Sequence, residues 1–186
     1  MSTLLLVPAH HTPHSSDPPN AIEFYSALGQ FMVAWGRFEG HFNGALLQIL
    51  SLPESASLSR VTLPRTWPER AGLWTEAFNT LPRLQPLQPS AFAFKIRVMG
   101  EVEDRHIGAH AVWDEFVLSA PEPTMRAKTI KARKGSPKIT DVTNYEISLS
   151  LVRQALAEAN KLNFELATFT SFLGSLRPPP PRLHTV

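Results

Sequence analysis

The sequence predicts an all-α fold: a four-to-five-helix up-and-down bundle with a small β-hairpin insertion before the last long helix. Three observations carry that prediction. Apolar residues recur at 3- and 4-residue steps over three long stretches, the mark of helices with one buried face. Proline-rich segments separate those stretches and cannot continue a helix. One segment, from about Val117 to Val142, loses the helical period and shows β-type alternation around a turn signal, Lys134-Gly135-Ser136-Pro137.

The totals fit a single soluble domain. At 186 residues, the chain can bury roughly 70% of its extended surface and needs no cross-links. It is 43% hydrophobic and 18% charged, with a net charge of +2. A balance that small does not by itself call for nucleic acid, so only local clustering of charge can do so. Without cysteine, disulfides and thiolate metal sites are excluded. No apolar run approaches the ~20 residues of a membrane span, and Leu4-Leu5-Leu6-Val7 is too short for a secretory signal. The expected location is the cytoplasm, with no membrane partner.

In chain order, Met1–Pro19 reads as a flexible arm, since Pro8, Pro13, Pro18 and Pro19 forbid a helix. The bundle is expected over residues 20–176. Asn20 and Glu23 have the spacing of a capping box. After them Phe24, Leu28, Phe31, Trp35, Phe38, Phe42 and Ile49 form one apolar face, ending near Leu52-Pro53. Glu39 lies in an otherwise apolar row with Tyr25, Met32 and Leu46. It reads either as a boundary carboxylate or as a buried one that needs a cationic partner. A link runs from Pro53 to Arg65. Thr66-Trp67-Pro68-Glu69 is a second capping box and opens a short helix to about Leu81. A third helix is expected from Ser90 to about Phe116. Thr143 and Glu146 suggest a third capping box. The helix after it carries Leu149, Val152, Leu156, Ala159, Leu162, Leu166 and Phe169 and reaches about Leu176. Residues 177–186 form a Pro-rich tail.

The stretch Glu103–Trp113 of the third helix is chemically unusual. At about 100° per residue, an apolar stripe of Phe94, Val98, Val102, Ala109, Val112, Trp113 and Phe116 centres about 40° from Arg105. His106 then lies at about 100° and His110 at about 140°. Arg105 and His106 thus flank a core-facing stripe, with His110 at its edge and Glu103, Ile107 and Asp114 on the far side. Three readings are open. Glu103-x-x-His106 has the spacing of a di-iron carboxylate motif, but that architecture needs two such motifs and only one is present. Arg105 and Glu39 could form a structural ion pair that fixes helix register. Or the cation and the imidazoles could act on a phosphate.

Arg105-His106-Ile107-Gly108-Ala109-His110, late in a helix of an all-α bundle, resembles the R-x4-6-H motif of the HEPN superfamily. That superfamily includes ribonuclease toxins and RNA-cleaving subunits of antiviral systems. His106 departs from it, since that place more often holds Asn, Asp or another polar residue. The resemblance implies a metal-independent endoribonuclease, a toxin or defence component, with no cofactor. His110 would be the principal acid/base, Arg105 the stabiliser of the phosphorane, His106 a second proton carrier or phosphate ligand, and Glu39 an orienting group. It implies a homodimer with the active site at the interface, RNA as substrate, a cognate antitoxin protein if the chain is a toxin, and 2′,3′-cyclic phosphate and 5′-hydroxyl ends. The basic run Arg126, Lys128, Lys131, Arg133, Lys134 and Lys138 contains no acid and is the candidate RNA-binding surface; an edge hairpin guarded by lysines is the alternative. A non-catalytic HEPN-like binding module and a metal-binding bundle are the rival functions.

Overall fold

A computed structural model describes residues 20–132 and 139–176. The expected arm, the Lys134–Pro137 turn and the Pro-rich tail lie outside the described residues. The order is α1 (Ala21–Leu50), α2 (Trp67–Thr80), α3 (Gln88–His110), β1 (Val112–Phe116), β2 (Thr124–Ala132), β3 (Ile139–Ser148) and α4 (Leu149–Ser175). The chain is therefore mainly helical, with a small antiparallel sheet before the last helix. Among the described residues, no helix is long and apolar enough to cross a membrane.

The helical faces follow the sequence period. Phe24, Phe31, Trp35, Phe38, Phe42 and Ile49 of α1 are all buried, as are Leu149, Val152, Ala159, Leu162, Leu166 and Phe169 of α4. They meet α2 and α3 in one aromatic centre. The ring of Trp74 lies 5.2 Å from Phe42, 4.7 Å from Phe78, 5.6 Å from Phe94 and 5.2 Å from Phe169, so all four helices touch it. Its indole N–H donates to the Ala91 carbonyl at 3.0 Å. Arg97 ties α3 to α4 by donating to Glu158 at 2.8 Å and to Glu165 at 2.7 Å. The Thr66 capping box forms as expected: Glu69 accepts from the Thr66 backbone N–H at 3.3 Å and from its hydroxyl at 2.9 Å.

The helix directions depart from an up-and-down bundle, in which the first and last helices oppose each other. Glu23 pairs with Arg153, and Ala34 accepts from Asn163. Both helices advance together between those contacts, so α1 and α4 run the same way. The reason lies in the link after α1. It folds back so that Trp67, at the start of α2, packs 5.6 Å from Trp35 and 6.0 Å from Phe38, beside the middle of α1.

Three local expectations are also corrected. The third helix ends at His110, not Phe116, because Ala111 turns to extended backbone (φ −68°, ψ 146°). Val112–Phe116 instead becomes an added strand, making the expected hairpin a sheet of order β1-β2-β3. A short apolar and aromatic run satisfies either period. Here pairing of Val112 with Lys128 and Trp113 with Ala127 decides it, together with edge-on packing of Trp113 and Phe116 onto Phe24. Thr143 and Glu146 do not start a helix: they lie in β3, opposite Thr129 and Arg126 of β2. The cap of α4 is Ser148, whose hydroxyl accepts from the Leu151 N–H at 3.3 Å. At the start of α1, Asn20 makes no side-chain cap, and Glu23 is drawn to Arg153 instead.

The end of α3 is also rotated from expectation, since Ile107 is buried and Ala109 exposed. Contact with α1 runs through Gly108, where a Cβ would sit 3.1 Å from Met32 Sδ and 3.2 Å from Phe31 Cε1. A methyl at Gly36, by contrast, would meet nothing within 4 Å. Gly108→Val is therefore expected to cost about 1–3 kcal/mol through overpacking. Gly36→Ala should stabilise by about 0.5–1 kcal/mol, because alanine loses less backbone freedom in a helix. Urea denaturation of the two variants checks both signs, and a stabilised Gly108→Val would contradict the close helix contact.

Candidate functional site

The last two turns of α3 place the predicted groups beside α1 and α2. His106 and His110 are exposed, whereas the sequence arithmetic turned His106 inward and put His110 at the edge of the buried face. The rotation at Gly108 accounts for this: it is the Gly108 side of α3 that meets α1, and the histidines fall outside the contact. Arg105 is half-buried, with its side chain 27% exposed.

The Arg105 guanidinium Nη1 lies 3.3 Å from His110 Nε2. Arginine has only donors, so this contact assigns Nε2 as the acceptor and leaves the ring proton on Nδ1. The His106 ring sits 4.9 Å from the His110 ring, centroid to centroid. Partial burial, and then the charge of Arg105 and the neighbouring His106, hold the His110 pKa below its ordinary value. Each disfavours the imidazolium. His110 therefore stays neutral to lower pH than a free histidine and offers a basic nitrogen near neutrality. A prediction follows for NMR titration of the ring protons. The His110 midpoint should lie below the ordinary 6.5. In Arg105→Gln it should move upward, because a repelling positive charge is gone; a downward or absent shift would refute the electrostatic coupling.

Glu39 takes a different partner from the one expected. Its Oε1 accepts from Arg70 Nη1 at 2.7 Å, while its Oε2 is 3.8 Å from Arg105 Nη2, beyond hydrogen-bond reach. Arg70, from the second turn of α2, is the residue that sequence reasoning missed. Its guanidinium also donates to the Pro64 carbonyl at 3.1 Å and stands 5.3 Å over the Trp67 ring. The only sequence signal for it was a carboxylate in an apolar row needing a cation, and that signal does not say which cation. The arrangement leaves Arg105 loosely held on the Glu39 side, and its Nε is buried without a partner. Its Nη groups face His110 and Glu39, with no tight ion pair to hold them back from a ligand.

The metal reading finds no assembled ligand set. Glu103 is exposed, and among the described residues no three His, Asp or Glu side chains come together to hold a metal.

The expected basic surface is also altered where it is described. Arg126 pairs with Glu115 at 2.9 Å and Glu146 at 3.2 Å, and Lys128 pairs with Asp114 at 3.0 Å. Acids on β1 and β3 thus answer two of the six cations, although the run itself holds no acid. The side chain of Lys131, and all of Arg133, Lys134 and Lys138, lie outside what is described. Compared with protein-family models, curated proteins and solved structures, the chain matches none of them.

Proposed function

We propose that the chain is a metal-independent endoribonuclease of HEPN type, a toxin or defence component acting in the cytoplasm. The observation that carries the reading is the contact of Arg105 with His110 Nε2 at 3.3 Å, with the His106 ring beside it. Cleavage of RNA by its own 2′-hydroxyl needs a base, an acid and a cation for the phosphorane oxygens. In this reading neutral His110 takes the 2′-hydroxyl proton. The 2′-oxygen attacks phosphorus, the P–O5′ bond breaks, and the leaving 5′-oxygen takes a proton from a second imidazole. Arg105 shifts from His110 to the phosphorane oxygens, where its fork can donate two hydrogen bonds. His106 is the nearest candidate for the second imidazole. The other candidate is His110 of a second copy in a homodimer, and the exposure of both histidines on one chain leaves this face accessible to such a copy. Glu39 and Arg70 act at one remove, fixing the α1–α2 wall against which Arg105 lies. RNA is held by the phosphate-facing cations that lack acidic partners, so Arg126 and Lys128 contribute least.

The test is incubation of purified protein with RNA in excess EDTA. Fragments ending in 2′,3′-cyclic phosphate and 5′-hydroxyl are expected. Saturable RNA binding with no cleavage at any protein concentration would favour a non-catalytic binding module, and cleavage abolished by EDTA would favour a metal enzyme.

A further inference from the structure

On the opposite flank of α3 lies a half-enclosed cavity of about 270 Å³, between α1, the sheet and the first turns of α4. It is a second site, and it does not rest on the ribonuclease reading. Asp104 is about 100° around the helix from Arg105 in one sense, while His106 is about 100° in the other. The two faces are therefore back to back across one helix.

The walls say what would fit. Leu28 and Ile147 are aliphatic, and Phe31, Trp113 and Tyr145 present aromatic surface. Glu101 and Asp104 supply negative charge from the α3 wall. One carboxylate oxygen of Glu101, Oε2, is buried with no hydrogen-bond partner. The nearest attractive charge to Glu101 is Arg97, one helical turn back, but that guanidinium is already held by Glu158 and Glu165. Glu146, the other acid on the wall, is answered by Arg126. Burial raises the pKa of both Glu101 and Asp104, and each is raised further by a neighbouring carboxylate. The protein thus keeps two poorly compensated acids at the edge of an apolar, aromatic-lined space. That combination suits a cation with an apolar body: the charge meets carboxylates and ring faces, and the body fills the cavity. An anion would meet only repulsion, and a neutral ligand would leave the Glu101 oxygen unpaired.

We propose that this cavity binds a small organic cation, an ammonium or guanidinium on an aromatic or aliphatic body, with its charge set against Glu101 and Asp104. The cavity lies at the small end of ligand pockets, so the ligand is smaller than a nucleotide.

The probe is 2-phenylethylammonium chloride, compared with 2-phenylethanol and 3-phenylpropionate. Binding is followed by calorimetry and by the Trp113 indole N–H resonance in ¹H–¹⁵N spectra of the full chain. The ammonium is expected to bind saturably and shift Trp113. The alcohol should bind at least about tenfold more weakly, the difference a charged hydrogen bond makes, and the carboxylate should not bind. The double variant Glu101→Gln, Asp104→Asn should bring the ammonium down to the affinity of the alcohol. Ala155→Leu, which narrows the cavity from α4, should weaken both. Equal binding of ammonium and alcohol to the wild type would overturn the charge recognition. Absence of any Trp113 response, or a response unchanged in Ala155→Leu, would overturn the site. The comparison of ligands on the wild type stands even if a variant fails to fold.

Discussion

His110→Ala is expected to lower RNA cleavage by about 10²–10⁴-fold, the usual contribution of a positioned acid/base group, with no loss of folding. The side chain is exposed at the last residue of α3, so its removal opens no cavity. What is lost is the one nitrogen that the Arg105 contact defines as an acceptor. Two companion variants separate the roles. Arg105→Lys keeps the positive charge but not the planar fork. It is expected to lose about 10²–10³-fold, the cost of one missing donor to the transition state. His106→Ala tests whether proton transfer to the leaving oxygen is made within one chain. If it matches wild type while His110→Ala is inactive, the acid comes from elsewhere, and mixing inactive Arg105→Ala and His110→Ala chains should restore some activity in a shared dimer site. Cleavage by His110→Ala at the wild-type rate, in matched preparations, would end the ribonuclease assignment.

Trp74→Ala should cost about 3–5 kcal/mol of stability, against the ~5–15 kcal/mol that a domain typically possesses. Trp74 is fully buried and its ring meets one aromatic residue from each of the other three helices. Truncation would remove that packing together and leave the Ala91 carbonyl without the indole donor. Trp74→Phe keeps most of the ring and loses the hydrogen bond, so it should cost less, about 1–3 kcal/mol. Urea unfolding followed by far-ultraviolet circular dichroism gives both values. A loss under about 1 kcal/mol in Trp74→Ala would mean that the four helices do not depend on this centre.

Trp74 also illustrates where sequence reading stopped. The apolar faces of α1 and α4 were legible because a buried helical face repeats every few residues within its own segment. The short helix α2 was legible by its cap, through Thr66 and Glu69. That the α2 tryptophan would be the shared centre was not legible, because its neighbours come from Phe42, Phe94 and Phe169, far apart in the chain.

The candidate site divides in the same way. The proximity of Arg105, His106 and His110 follows from the sequence alone, since residues one and five apart on a helix cannot separate. Their exposure does not follow. It depends on which side of α3 meets α1, and the contact through Gly108 with Phe31 and Met32 decides that. Glu39 was recognisable as a carboxylate in want of a cation, yet Arg70 and Arg105 were equal candidates until α2 was laid across α1. Val112–Phe116 could serve a helix or a strand, and pairing with β2 settled it. The charge of Arg126 and Lys128 was plain in the sequence, but its neutralisation by Asp114, Glu115 and Glu146 came from adjacent strands. The sequence by itself determined the helical periods, the breaks between them and the clustering of Arg and His on one helix. All of these are set by local geometry, at separations of a few residues. Tertiary structure decided the helix directions, the third strand, the partner of Glu39 and the face on which the histidines stand. Those depend on contacts between segments remote in the chain, where many pairings satisfy the same local pattern and only one packs.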